Sequence, residues 1–112
     1  MKSLDQVLVT HNEAAHRFEA KLGDEVAVIT YRRRGDRIVL LHTEVPIGFE
    51  GKGIAGKLVR AALDFARSNH LRVVPLCPFV ASYIRKHAED QDLLPPNERE
   101  RLLAEPAEET NG

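Results

Sequence analysis

Apolar and polar residues alternate with a period of two through Arg17–Leu22, where Phe18, Ala20 and Leu22 are interleaved with Arg17, Glu19 and Lys21. This is the pattern of a strand with one face buried. The Gly23-Asp24 pair then leads into Val26–Tyr31, a run rich in β-branched residues, so the two segments form a hairpin. Arg32–Arg34 with Gly35-Asp36 make a second polar turn, and Ile38–Val45 is a third strand, apolar enough at its start to be buried on both faces. Connections this short join antiparallel neighbours, which predicts a three-stranded meander from His16 to Val45.

The periodicity changes after Pro46. Ile54, Ala55, Leu58, Val59, Ala62, Phe65 and Ala66 fall on one stripe and Lys57, Arg60, Asp64 and Arg67 on the other, the 3.6-residue period of an amphipathic helix ending near Ser68-Asn69. Leu71–Leu76 is a short apolar strand, and Pro78 opens a second helix that runs to about His87. A strand-helix-strand crossover pairs its two strands in parallel. The fold class is therefore mixed α/β (α+β): an antiparallel three-stranded meander, a glycine loop and helix, a further strand and a second helix. From Pro95 to Gly112 the chain turns acidic, with five Glu against two Arg and three of the six prolines. That divides the sequence into a folded domain over 1–94 and a mobile tail over 95–112, with a short helix expected at Glu98–Ala104.

Charge and cysteine content narrow the chemistry. The 112 residues suit one domain, and a formal charge of -1 supplies no global field for nucleic acid or an anionic membrane, so any anion site is local. Cys77 is the only cysteine, which excludes an intrachain disulfide and thiolate-cluster metal sites and predicts a reducing, cytoplasmic setting. His11, His16, His70 and His87 lack ligand spacing; they are expected at the surface, and no metal site is expected. No run of about 18 apolar residues is present.

Four of the seven glycines fall between Gly48 and Gly56. Gly51–Gly56 satisfies the G-x-G-x-x-G dinucleotide pattern, but Leu76 and Cys77 stand where an acidic ribose ligand would be needed. Gly51–Lys57 also reads G-x-x-x-x-G-K, yet Leu58 replaces the Ser or Thr that would hold magnesium. A glycine-rich turn into a helix remains. Its backbone N–H groups and the positive end of the helix dipole favour a phosphate; its plainer use is to allow a tight turn.

The order of elements, together with His42-Thr43-Glu44-Val45-Pro46, Gly51-Lys52-Gly53-Ile54-Ala55, Val74-Pro75-Leu76-Cys77-Pro78-Phe79-Val80 and Tyr83-Ile84-Arg85-Lys86-His87, resembles the minimal single-domain members of the GNAT N-acetyltransferase superfamily. The resemblance runs from roughly Thr10 to Leu94. It implies a GNAT-like acyl-coenzyme A core in which the strand before the loop and the strand after the helix diverge to admit acetyl-coenzyme A. By position, Val45, Gly51, Lys52, Gly53, Ile54, Ala55, Gly56 and Lys57 would surround the co-substrate, the loop meeting its pyrophosphate through backbone N–H groups. Glu50 departs from the family's Gln or Arg at the start of that loop.

Four residues are candidates for chemistry. The resemblance implies that Tyr83 protonates the departing thiolate; a packed aromatic with a wet hydroxyl is its plainer role. Cys77, between a strand end and a helix start, sits where a thiol can be activated. An inert buried cysteine is the commoner case, and the family's direct transfer to an amine would leave Cys77 lining the acetyl pocket. His42 and Glu44, two apart on a strand, share a face and either could take a proton from an acceptor amine. Two functions are expected: N-acetyltransfer to a small-molecule or peptide amine, or a module that binds acyl-coenzyme A without turnover. Neither calls for a nucleic acid or a membrane, and the short connections leave an open acceptor face where a protein partner could sit.

Overall fold

The computed structural model describes residues 7–104. Five strands form one sheet in sequence order, β1 (Val9–Asn12), β2 (Arg17–Leu22), β3 (Glu25–Arg34), β4 (Arg37–Glu44) and β5 (Arg72–Pro75). The first four pair antiparallel and β5 lies parallel to β4, the crossover being α1 (Ile54–Ser68). Then come α2 (Pro78–Lys86), a 3-10 segment (Ala88–Leu93) and α3 (Pro96–Ala104).

The three predicted strands and both helices are present, and both hairpins turn at the expected pairs, Leu22 opposite Glu25 and Arg34 opposite Arg37. A fourth antiparallel strand precedes them, because β1 pairs with β2 from Val9 opposite Ala20 to Asn12 opposite Arg17. Helix α3 covers the helix expected at Glu98–Ala104 and buries Leu102 to 1 % exposure. The rest of the acidic segment, 105–112, lies outside the described residues.

All helices contribute to a core on one face of the sheet. Phe18, Ala20, Ala27, Ile29, Tyr31, Ile38, Leu40 and Val73 meet Leu58, Val59, Ala62, Leu63 and Ala66 of α1 there, and each of the larger side chains contributes about 1.5–3 kcal/mol by leaving water. The alternation read from Arg17–Leu22 is this face. On the other face Glu19, Val28 and Thr30 align across strands with Glu44 and His42.

Two irregularities interrupt β4. Thr30 pairs with His42 but Tyr31 with Leu40, so Leu41 is an extra residue, a β-bulge that re-aims the strand beyond it. The pairing of β4 with β5 covers only Arg37–Leu40, while β4 itself runs on to Glu44. The parallel strands therefore separate after Leu40.

Candidate functional site

The separation has a defined apex. The Leu40 carbonyl accepts from both Leu76 N–H (3.1 Å) and Cys77 N–H (3.0 Å), after which the β4 backbone from Leu41 to Glu44 has, among the described residues, no strand partner on its β5 side. Such an edge offers amide and carbonyl groups to an extended ligand that carries amides of its own.

Beside this opening the chain enters α1 through the glycine loop. Gly51 (φ 78°) and Gly53 (φ 83°) are both left-handed, a conformation in which a β-carbon costs about 1–2 kcal/mol. A β-carbon on Gly51 would meet nothing within 4 Å, so the requirement there is for backbone angle. Gly53 is the N-cap; no side chain caps the helix, and its first turn holds no acidic residue. The first N–H groups of α1 thus remain available to an anion. They border an open cleft of about 280 Å³, lined by Glu50, Gly51, Gly53, Ile54, Ala55 and Gly56 with Val45, Phe49 and Phe79. The loop thus places anion-binding N–H groups beside an unpaired strand edge. Sequence patterning does not single out Phe49 and Phe79; their place beside a helix start is visible only in three dimensions.

The chemistry-bearing residues fall into three groups. Cys77 is 4 % exposed at the N-cap of α2, and its Sγ lies 3.3 Å from Thr43 Oγ1. Thr43 aligns with the inward-facing Ile29, so thiol and hydroxyl meet at the opening on the helix side. His42 and Glu44 do share a face, and His42 Nε2 stands 3.4 Å from Glu44 Oε2, but that is the opposite face of the sheet. Tyr83 is half-buried on α2, with its ring 3.8 Å from where a Gly56 β-carbon would lie and stacked on His87 at 4.0 Å. Lys52 is exposed, and Lys57 begins the helical ladder by donating to Gly53 O at 3.1 Å.

Behind Tyr83 is an ion-pair network. Asp90, 1 % exposed in the 3-10 segment, accepts two hydrogen bonds of 2.8 Å from Arg60, and Arg67 lies 3.6 Å away. The Arg60 bonds hold the Asp90 carboxyl below its ordinary range, and in return Asp90 raises Arg60, with the Tyr83 hydroxyl a lesser hydrogen-bonding neighbour of the guanidinium. The pair joins residues 30 apart, and no local pattern announces it. His11 also differs from the surface position expected for it. It stacks on Phe18 at 4.2 Å and shares a 2.6 Å hydrogen bond with the Tyr31 hydroxyl. His87 is half-buried as well, its Nδ1 2.7 Å from Tyr83 O, whereas His16 and His70 are exposed. Among the described residues no group of three or more His, Cys, Asp or Glu could hold a metal ion, and no helix is long and apolar enough to cross a membrane.

A profile of the GCN5-related N-acetyl-transferase family matches residues 17–93, from the start of β2 to the end of the 3-10 segment. Protein NATD1 of Mus musculus is 36% identical over 84 residues, covering 72% of this chain and 76% of that protein. Its counterpart from Xenopus tropicalis is 32% identical over 90 residues, with 78% and 83% covered. Among solved structures, an NMR structure of a GCN5-like putative N-acetyltransferase from Staphylococcus aureus superposes with a TM-score of 0.65 at 26% identity, covering 82% of this chain and 91% of that one.

Proposed function

The chain belongs to the GCN5-related N-acetyltransferase family, and on that premise we propose that it transfers an acetyl group from acetyl-coenzyme A directly to a primary amine of a small molecule or peptide. The observation that carries this reading is the pairing of β4 with β5 that stops at Leu40 beside the uncapped start of α1. Gly51, Gly53, Ile54, Ala55 and Gly56 would hold the pyrophosphate end, with Val45 beside them and the unpaired edge of β4 along the pantetheine. The co-substrate supplies the activated thioester.

In the transfer a C–N bond forms and the C–S bond breaks; the amine loses a proton and the departing sulfur gains one. His42 and Glu44, exposed on the outer face, are the candidates to take the amine's proton. Tyr83 is the candidate to supply the thiolate's proton, and Cys77 with Thr43 would border the acetyl group. A cytoplasmic setting accords with the single free thiol.

The alternative, a module that binds acyl-coenzyme A without turnover, draws on the short connections between β2, β3 and β4, which leave the acceptor side open. Incubation with acetyl-coenzyme A and a panel of amines, polyamines and peptides, following thiol release and acetylated product, separates the two. Product supports the transferase; saturable binding without product across the panel supports the module. Calorimetry should show coenzyme A binding far more tightly than ATP or NAD, because Leu58 and the absent acidic ribose ligand suit neither. Equal or tighter ATP binding would defeat both readings.

A further inference from the structure

The face of the sheet turned away from the core carries a second concavity, of about 460 Å³. Its floor is apolar: Val39, Val74, the bulge residue Leu41, and Leu76, which is 57 % exposed. Its walls are Arg32, Arg34 and Arg37. Arg32 lies opposite Val39 and Arg34 opposite Arg37, so the three guanidinium groups share this face.

Among the described residues the guanidinium groups of these three arginines have no hydrogen-bond or ion-pair partner. Elsewhere most arginine side chains are engaged, Arg33 and Arg99 being the exceptions among the described residues. Arg17, Arg60, Arg67 and Arg101 meet carboxylates, and Arg72 and Arg85 donate to backbone carbonyls. Like charges directly across a strand pair are unfavourable, and an anion between Arg34 and Arg37 would relieve them.

The groove ends at Leu41 and Leu76, which flank the apex of the β4/β5 opening, where Leu76 N–H bonds to Leu40 O. Further along the same face stand His42 and Glu44. The charge order along β4 is therefore arginines, an apolar stretch, then a carboxylate. From Arg37 to Leu41 is about 13 Å at the rise of a strand, the reach of about four extended residues.

Resting on the transferase reading, we infer that this groove receives the acceptor, and that the acceptor is a polypeptide segment carrying Asp or Glu about three to five residues from the amine that is acetylated. The arginines take the carboxylates, the apolar floor takes intervening side chains, and Glu44 attracts the ammonium toward the opening. A polyphosphate or nucleic acid suits the groove less well, since its charges would continue over the apolar floor toward Glu44.

The test uses fluorescent peptides with one lysine and Glu at those positions, the same peptides with Gln, and an RNA oligonucleotide. They are measured on the wild-type chain and on Arg32→Gln/Arg34→Gln/Arg37→Gln, whose exposed side chains leave the core untouched. Anisotropy should show the Glu peptide binding at least about tenfold more tightly than the Gln peptide, with the difference lost in the triple variant and weakened by salt. In turnover the triple variant should raise KM for the Glu peptide and leave kcat near the wild-type value. Equal binding of Glu and Gln peptides, retention of the preference by the triple variant, or tighter binding of RNA would overturn the inference. Selective binding of the Glu peptide without any acetylation would support the groove and count against the transferase reading alone. Acetylation of amines without regard to neighbouring acid would sustain the transferase and reject the groove.

Discussion

Gly53 carries two burdens at one residue. Its φ of 83° turns the chain into α1, and its lack of a β-carbon keeps the first N–H groups of that helix approachable. Gly53→Val should therefore weaken coenzyme A binding by about tenfold, because the branched side chain blocks the approach of phosphate to those N–H groups. Calorimetry measures the loss, while an unchanged far-UV spectrum shows the fold retained; undiminished affinity would remove the loop from the site. Tyr83→Phe isolates a single hydroxyl. If that hydroxyl supplies the thiolate's proton, turnover should fall by about 10²-fold with coenzyme A affinity held, and unchanged turnover would reject the role. Cys77 makes the opposite case. Its thiol is close to Thr43 Oγ1 at 3.3 Å, an arrangement that Cys77→Ser preserves in outline, so direct transfer predicts substantial turnover in the Ser variant. An acetyl-Cys77 formed rapidly from acetyl-coenzyme A alone and consumed by added amine, with activity lost in the Ser variant, would replace direct transfer by a covalent relay.

At the scale of elements, the 3-10 segment is fastened to α1 by two bidentate pairs, the buried one of Arg60 with Asp90 and the exposed one of Arg67 with Asp92. Asp90→Asn leaves Arg60 half-satisfied in a place that water reaches on one side only. The expected cost is about 2–3 kcal/mol, less than for a fully buried pair because Arg60 is a third exposed, readable as a lower urea midpoint. A loss below about 0.5 kcal/mol would mean that the apolar residues of the segment and the bonds from Arg67 to Asp92 and Glu89 suffice. This latch also marks where sequence reading stops. The strands from Arg17 to Glu44 and the helices at Ile54 and Pro78 are legible because each writes its own period into consecutive residues. The glycine loop is legible because few other residues tolerate such turns. Strand β1 has only four residues and includes His11 on its inward side, so the alternation that would reveal it is carried by a residue type usually counted as polar. Asp90 owes its burial to a partner 30 positions away. The separation of His42 and Glu44 from Cys77 by the thickness of the sheet depends on the bulge at Leu41, a register event with no composition of its own.

Across the whole molecule, acid should act in two stages, the first at a place away from the cleft. His11 sits on the far edge strand from β5, wedged between Phe18 and Phe65, and burial pushes its pKa below the ordinary 6.5. The folded state thus prefers the neutral ring. Its contribution is complete above about pH 6.5 and is lost as the pH falls through the lowered folded value. Asp90, Asp92 and Glu19 are also lowered, each chiefly by hydrogen bonds from arginine; their contributions hold above the ordinary carboxylate range, near about pH 4, and are lost below it. Both stages have the same sign, so the urea midpoint should stay level near about pH 7–8, decline first below about 6.5 and decline again below about 4. His11→Gln keeps a hydrogen-bonding group for the Tyr31 hydroxyl but cannot titrate. It should lower stability modestly at about pH 7.5 and flatten the first decline while leaving the second. Three strands stand between β1 and β5, about 19 Å at ordinary strand spacing, a separation at which perturbations without shared partners act independently. Coenzyme A affinity at about pH 7.5 should therefore be the same in His11→Gln as in the unaltered chain. A first decline that survives the substitution would assign it to another group, and a shared change in affinity would mean that the two edges of the sheet are coupled through α1, whose Phe65 touches His11 and whose first turn borders the cleft.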